Sequence, residues 1–90
     1  MENIMDAMRI HSHFVQENIP VISVGYVRNN YYLVTLDMPD VHAEAVLYTS
    51  IWRNWKREFT KKIDKMGYSI VMYSFINTIF GVYVVPKVEE

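Results

Sequence analysis

From Tyr68 to Pro86 the chain reads YSIVMYSFINTIFGVYVVP, nineteen positions without a charged residue. A run of this kind either crosses a bilayer or is buried within a protein with its backbone paired. Its length and the flanking Lys61, Lys62, Lys65 and Lys87 suit the first outcome. Its composition suits the second: β-branched and aromatic residues dominate, and Asn77-Thr78 would set two polar side chains at the bilayer centre. The stretch is therefore expected to fold back on itself as a β-hairpin that turns at Asn77-Thr78.

Val21 to Asp37 repeats the pattern. VISVGYV and YYLVTL flank Arg28-Asn29-Asn30, and asparagine tolerates the left-handed backbone of a type I′ turn, so Asn29-Asn30 is the expected two-residue loop. With a regular register, Ile22, Val24 and Tyr26 share a face with Tyr31 and Leu33. Val21 and Val27 then share the other with Tyr32, Val34 and Leu36. Both faces are apolar.

Between the hairpins lies HAEAVLYTSIWRNWKREFTKKIDKM, residues 42–66, which holds both tryptophans and six of the nine Lys and Arg residues. It reads as one long amphipathic helix with Asp40 as N-cap and Gly67 as the left-handed terminator. Leu47, Ile51, Trp55, Phe59, Ile63 and Met66 form its expected core stripe, with Tyr48 and Trp52 on the shoulder. Arg53, Arg57, Lys61 and Lys65 make a separate i, i+4 row. Residues 2–18 read as a second amphipathic helix, with Ile4, Met8, His11 and Val15 as its apolar line, Met5, Ile10 and Phe14 widening it, and Asn18 and Pro20 ending it.

A shift of 47 positions lays Val24 on Val71, Tyr26 on Tyr73, Asn30 on Asn77 and Pro39 on Pro86. The shared order of elements is αββ twice. The expected fold is α+β: αββαββ, two helices packed on a four-stranded antiparallel sheet of two hairpins, within a single domain spanning 1–90. The same order arises if a ferredoxin-like βαββαβ chain has its first strand moved to the end.

Charge is segregated along the chain. Residues 53–65 carry +4 and the remainder −5, within a net −1. Cysteine is absent, which removes disulfides and thiolate chemistry, and the acidic start MENIMDAMRI lacks the basic region and apolar run of a secretory leader. The expected location is the cytoplasm. A hydrophobic content of 51% in ninety residues leaves apolar surface to cover, and a homodimer is the simplest cover.

No nucleophile with a neighbouring base, glycine-rich phosphate loop or paired carboxylates stands out, so neither an enzyme nor a cofactor is expected. His11 and His13 form an H-x-H, but on a helix the two imidazoles point about 200° apart and cannot share a metal ion. The expected function is that of a non-enzymatic regulatory module that binds another protein. In style it is comparable with accessory or inhibitor proteins of phages and mobile elements. Trp52, Arg53, Lys56 and Arg57 are the expected partner contacts, Trp52 as an edge anchor and the three cations because mid-helix position gives them no dipole to complement. Tyr31, Tyr32, Tyr73 and Tyr83 are the expected oligomer surface. The alternative is a nucleic-acid-binding regulator that uses the basic, tryptophan-bearing helix 42–66.

Overall fold

A computed structural model describes residues 2–87. The chain forms α1 (Glu2–Gln16), β1 (Val21–Arg28), β2 (Tyr31–Leu36), α2 (Pro39–Val46), α3 (Ser50–Lys65), β3 (Tyr68–Ser74) and β4 (Phe80–Pro86). The strands make one antiparallel sheet in the order β1-β2-β4-β3. The α+β class and the two hairpins are as expected, and Tyr68–Pro86 is the second hairpin. Among the described residues no helix is long and apolar enough to cross a membrane.

Asparagine sets the turns. Asn29 and Asn30 have φ of 53° and 65°, the signature of a type I′ loop, and Asn77 at 58° occupies the matching place in the second hairpin. Asn18, at φ 63°, ends α1, with the Ile19 amide donating to the Phe14 carbonyl at 3.0 Å. Gly67, at φ 98°, ends α3 as expected.

One cluster of buried side chains fills the space between the helices and one face of the sheet. It joins Ile10 and Phe14 of α1, Trp52, Phe59 and Ile63 of α3, Tyr32, Val34 and Leu36 of β2, and Phe80, Val82 and Val84 of β4. The register gives the central strands strict alternation: Val34 opposes Val82 and Leu36 opposes Phe80 on the helix side, while Leu33 opposes Tyr83 on the other.

Three expectations change. The register of β1 shifts between Tyr26 and Arg28, so Tyr26 rather than Val27 opposes Tyr32, and Val24 opposes Val34. One extra residue in a strand exchanges its faces, and Val24 and Tyr26 thereby point toward the helices; a second shift, between Val21 and Ser23, returns Val21 to the expected side, opposite Leu36 and against the core. Helix α1 buries Ile10 and Phe14 with Ala7 against them, and leaves Ile4, Met8 and Val15 exposed. At about 100° per residue, steps of four drift about 40° each, so a line drawn through Ile4, Met8 and Val15 leaves the face centred on Phe14. Finally, the 42–66 helix is two helices, and Met38 rather than Asp40 occupies the N-cap of the first, with Asp40 in its first turn.

Gly81 offers a direct check of the sheet. A Cβ there would lie 2.8 Å from the Val34 carbonyl oxygen and 3.2 Å from Leu33 Cδ1, whereas a Cβ on Gly25 meets nothing within 4 Å. Gly81→Ala is expected to destabilise by about 1–3 kcal/mol in urea unfolding, through overpacking against backbone. Gly25→Ala is expected to be neutral or to stabilise by up to ~1 kcal/mol, because the strand loses a flexible residue.

Candidate protein-docking tip

The break between α2 and α3 begins with Thr49. Its hydroxyl accepts from the Trp52 amide at 3.2 Å and donates to Glu44 Oε1 at 2.7 Å, so one side chain caps the new helix and ties it to the old one. Tyr48 turns the chain at φ 53°. A bulky residue in the left-handed region costs about 1–2 kcal/mol, and two contacts hold it there: Arg53 Nη1 donates to the Tyr48 carbonyl at 2.8 Å, and the ring meets Phe75 edge-on at 5.6 Å. The Thr49-Ser50 pair, both good capping residues in mid-run, was the sequence signal for this break.

The break re-orients every neighbour. Trp52 is 1% exposed, while Leu47, Tyr48 and Ile51 are 72%, 63% and 62% exposed. Trp52 is therefore not an edge contact but the centre of an aromatic cluster. It stacks on Trp55 at 5.7 Å and meets Tyr73, Phe75 and Phe80 edge-on at 5.2, 5.8 and 6.0 Å. With Phe59 as centre and about 100° per residue, Trp52 lies about 20° from the core direction and Ile51 about 80° away, so helical geometry alone separates them. Trp52 Nε1 is buried without an acceptor.

What the fold exposes here is an apolar tip. Val46, Leu47, Tyr48 and Ile51 come from the α2–α3 joint, and Ile76 is exposed on the β3–β4 turn next to Phe75, whose ring Tyr48 touches. The turn is fastened to α2 as well: His42 stacks on Phe80 at 5.9 Å, and its Nε2 lies 3.3 Å from the Phe75 carbonyl. Of the three expected cations Arg53 reaches the tip, and Lys56 and Arg57 follow it along α3. Arg53 is held by the Tyr48 carbonyl, Lys56 Nζ sits 5.7 Å from the centre of the Trp52 ring, and Arg57 donates to Asn54 Oδ1 at 2.9 Å. Farther along α3, Glu58 lies 3.9 Å from Arg57 and 3.6 Å from Lys61.

The tyrosines divide between the sheet faces. Tyr32 and Tyr73 lie on the helix side, which removes both from any oligomer surface. Tyr32 donates to Asp6 Oδ2 at 3.4 Å, and Tyr73 shares a hydrogen bond with Thr60 at 3.0 Å and packs on Trp52, Trp55 and Phe59. Burial, and then the Asp6 carboxylate, raise the Tyr32 phenol; burial pushes Tyr73 up to about 12. Tyr31 and Tyr83 lie on the opposite side, as the β2–β4 register requires.

Elsewhere the polar groups satisfy one another. A cleft of about 320 Å³ is lined by Asp6, Arg9, Tyr32, Tyr68 and Lys87 among others, but Arg9 pairs with Asp6 at 3.1 Å and Lys87 with Asp64. His13 Nδ1 lies 3.3 Å from the Tyr68 hydroxyl. Among the described residues no three His, Cys, Asp or Glu side chains come together as metal ligands. Comparison with protein-family models, curated proteins and solved structures finds no match.

Two measurements check this geometry. Trp52→Ala is expected to cost about 3–5 kcal/mol in denaturant unfolding, while Leu47→Ser and Ile51→Ser stay within about 0.5 kcal/mol. Trp52→Phe, which keeps most of the ring contact and deletes the unpaired N–H, is expected to cost far less than the alanine. Because the folded state holds the Tyr73 proton more tightly than the unfolded chain, its contribution is complete below the ordinary tyrosine value of 10.0 and is lost as pH rises from there toward about 12. Tyr73→Phe is expected to flatten the loss of stability over that alkaline window.

Proposed function

We propose that this protein is a non-enzymatic regulatory module that binds another protein through the tip where α2, α3 and the β3–β4 turn meet. The observation that carries the reading is the exposure of Leu47, Tyr48 and Ile51 on a joint fixed by the Thr49 cap, the Arg53 hydrogen bond and the Tyr48–Phe75 contact. A joint whose backbone is already fixed leaves little main chain to order on binding, which favours a docking role for the apolar side chains it displays. Arg53 at the joint, with Lys56 and Arg57 farther along α3, favours a partner that offers an apolar cleft with an acidic rim. The lack of cysteine suits a reducing compartment, and the reading places the protein in the cytoplasm.

A second reading, nucleic-acid binding, is favoured by the exposed row Arg53, Arg57, Lys61 and Lys65. It is the weaker one. Cations can meet phosphates, but burial of Trp52 withdraws the ring that would stack on a base.

Affinity capture with paired baits separates the two. The wild-type chain is expected to retain a protein that a folded Leu47→Ser/Ile51→Ser variant does not, and Arg53→Ala/Arg57→Ala should weaken the same complex in a salt-dependent way. Equal capture by the serine variant would remove the tip from the reading. Retention on a polyanion column at low salt that falls steeply with salt, and is unaffected by the serine changes, would favour nucleic acid instead.

A further inference from the structure

The sheet face turned away from the helices carries no helix among the described residues, its Tyr31, Leu33, Tyr83 and Val85 half-buried by their neighbours and its Val71 and Met72 exposed. Tyr31 and Leu33 of β2, Tyr83 and Val85 of β4, and Met72 of β3 lie on it, and none belongs to the buried cluster or packs against it. An antiparallel sheet with one face in water ordinarily alternates apolar with polar residues. Here the central strands place Tyr31, Leu33, Tyr83 and Val85 on the outer face as well, next to Thr35 and Gly81, with Ser23, Gly25 and Ser69 on the flanking strands. A register shift between Ile70 and Met72 leaves Val71 and Met72 together against Tyr83, both exposed. Leu33 lies over Gly81, which has no side chain to lift it.

We infer that this face is the contact surface of a symmetric dimer of the chain, a role separate from that of the docking tip. Charge decides the occupant. Across Val21–Val27, β2, β3 and β4 there is no charged residue, and Arg28 stands alone at one end of β1. A two-fold interface sets one patch against its own copy, so the patch must be its own complement, which a neutral face is and the basic α3 surface is not. The same neutrality gives the face nothing with which to select a partner of opposite charge.

Area sets the strength. Four strands about 4.8 Å apart and about six residues long at ~3.3 Å each give a footprint of roughly 400 Å² per copy. Side-chain relief adds to that, against about 800 Å² of accessible surface per partner in a standard interface. The dimer is accordingly a reversible, concentration-dependent one, with the two sheets stacked about 10 Å apart.

Sedimentation equilibrium from low micromolar to near-millimolar concentration tests this. The wild-type mass should climb from 10.7 kDa toward twice that value. Tyr83→Arg and Met72→Glu, on the sheet face, should each hold the protein at the monomer mass, and Met8→Glu, on the exposed side of α1, should leave the dimer intact. Circular dichroism establishes that each variant is folded. If Tyr83→Arg fails to fold, Met72→Glu decides, since Met72 is exposed in the single chain. A wild-type monomer throughout the range, a dimer that persists in the sheet-face variants, or a dimer lost through Met8→Glu would each overturn the inference.

Discussion

The packing of Trp52 between α3 and the second hairpin organises much of the rest. Its ring stacks on Trp55 and is met edge-on by Tyr73, Phe75 and Phe80, so one side chain joins the start of α3, the end of β3, the start of β4 and the turn between them. Such aromatic pairs contribute beyond the area they bury. The Thr49 cap fixes where α3 starts and so where Trp52 points. The exposed joint follows from the same choice, because a helix phased to bury Trp52, Phe59 and Ile63 must turn Ile51 outward.

Local chemistry was legible wherever a residue type answers a backbone need. Asn18, Asn29-Asn30, Asn77 and Gly67 mark turns or helix ends, and all adopt the positive φ that their residue types tolerate. The charge-free run was legible as a hairpin for a related reason, its polar midpoint. Phase was harder to read. Two register shifts in β1 exchange the faces of Val24 and Tyr26 while leaving Val21 on its expected side, and the i, i+4 lines through Ile4–Met8 and Leu47–Ile51 drift from the true core directions. Both are small local offsets that only tertiary packing resolves.

The candidate site was legible in part. Arg53 holds the joint through the Tyr48 carbonyl, and Lys56 and Arg57 lie farther along α3; Trp52, chosen with them, lies beneath the exposed surface, and Leu47 and Ile51, assigned to the core, form it. The tyrosine set divides in the same manner: Tyr31 and Tyr83 face outward, whereas Tyr32 and Tyr73 serve the core. In each case hydrophobic content was evident in the sequence and the direction of the side chain was not, because both sheet faces and both helix shoulders carry apolar residues.

The order β1-β2-β4-β3 has a consequence for how the molecule folds. Each hairpin closes locally, but its inner strand is completed only by the inner strand of the other hairpin, and β2 is separated from β4 by α2, α3 and β3. Pairing β2 with β4 is thus the step with the greatest loop-closure cost, and the α2–α3 joint lies within the loop that must close. A protein that grips that joint only in its folded geometry would resist unfolding of the whole sheet by mass action. Occupancy of a surface at one end of the molecule would then be readable as the lifetime of a strand pair at its centre.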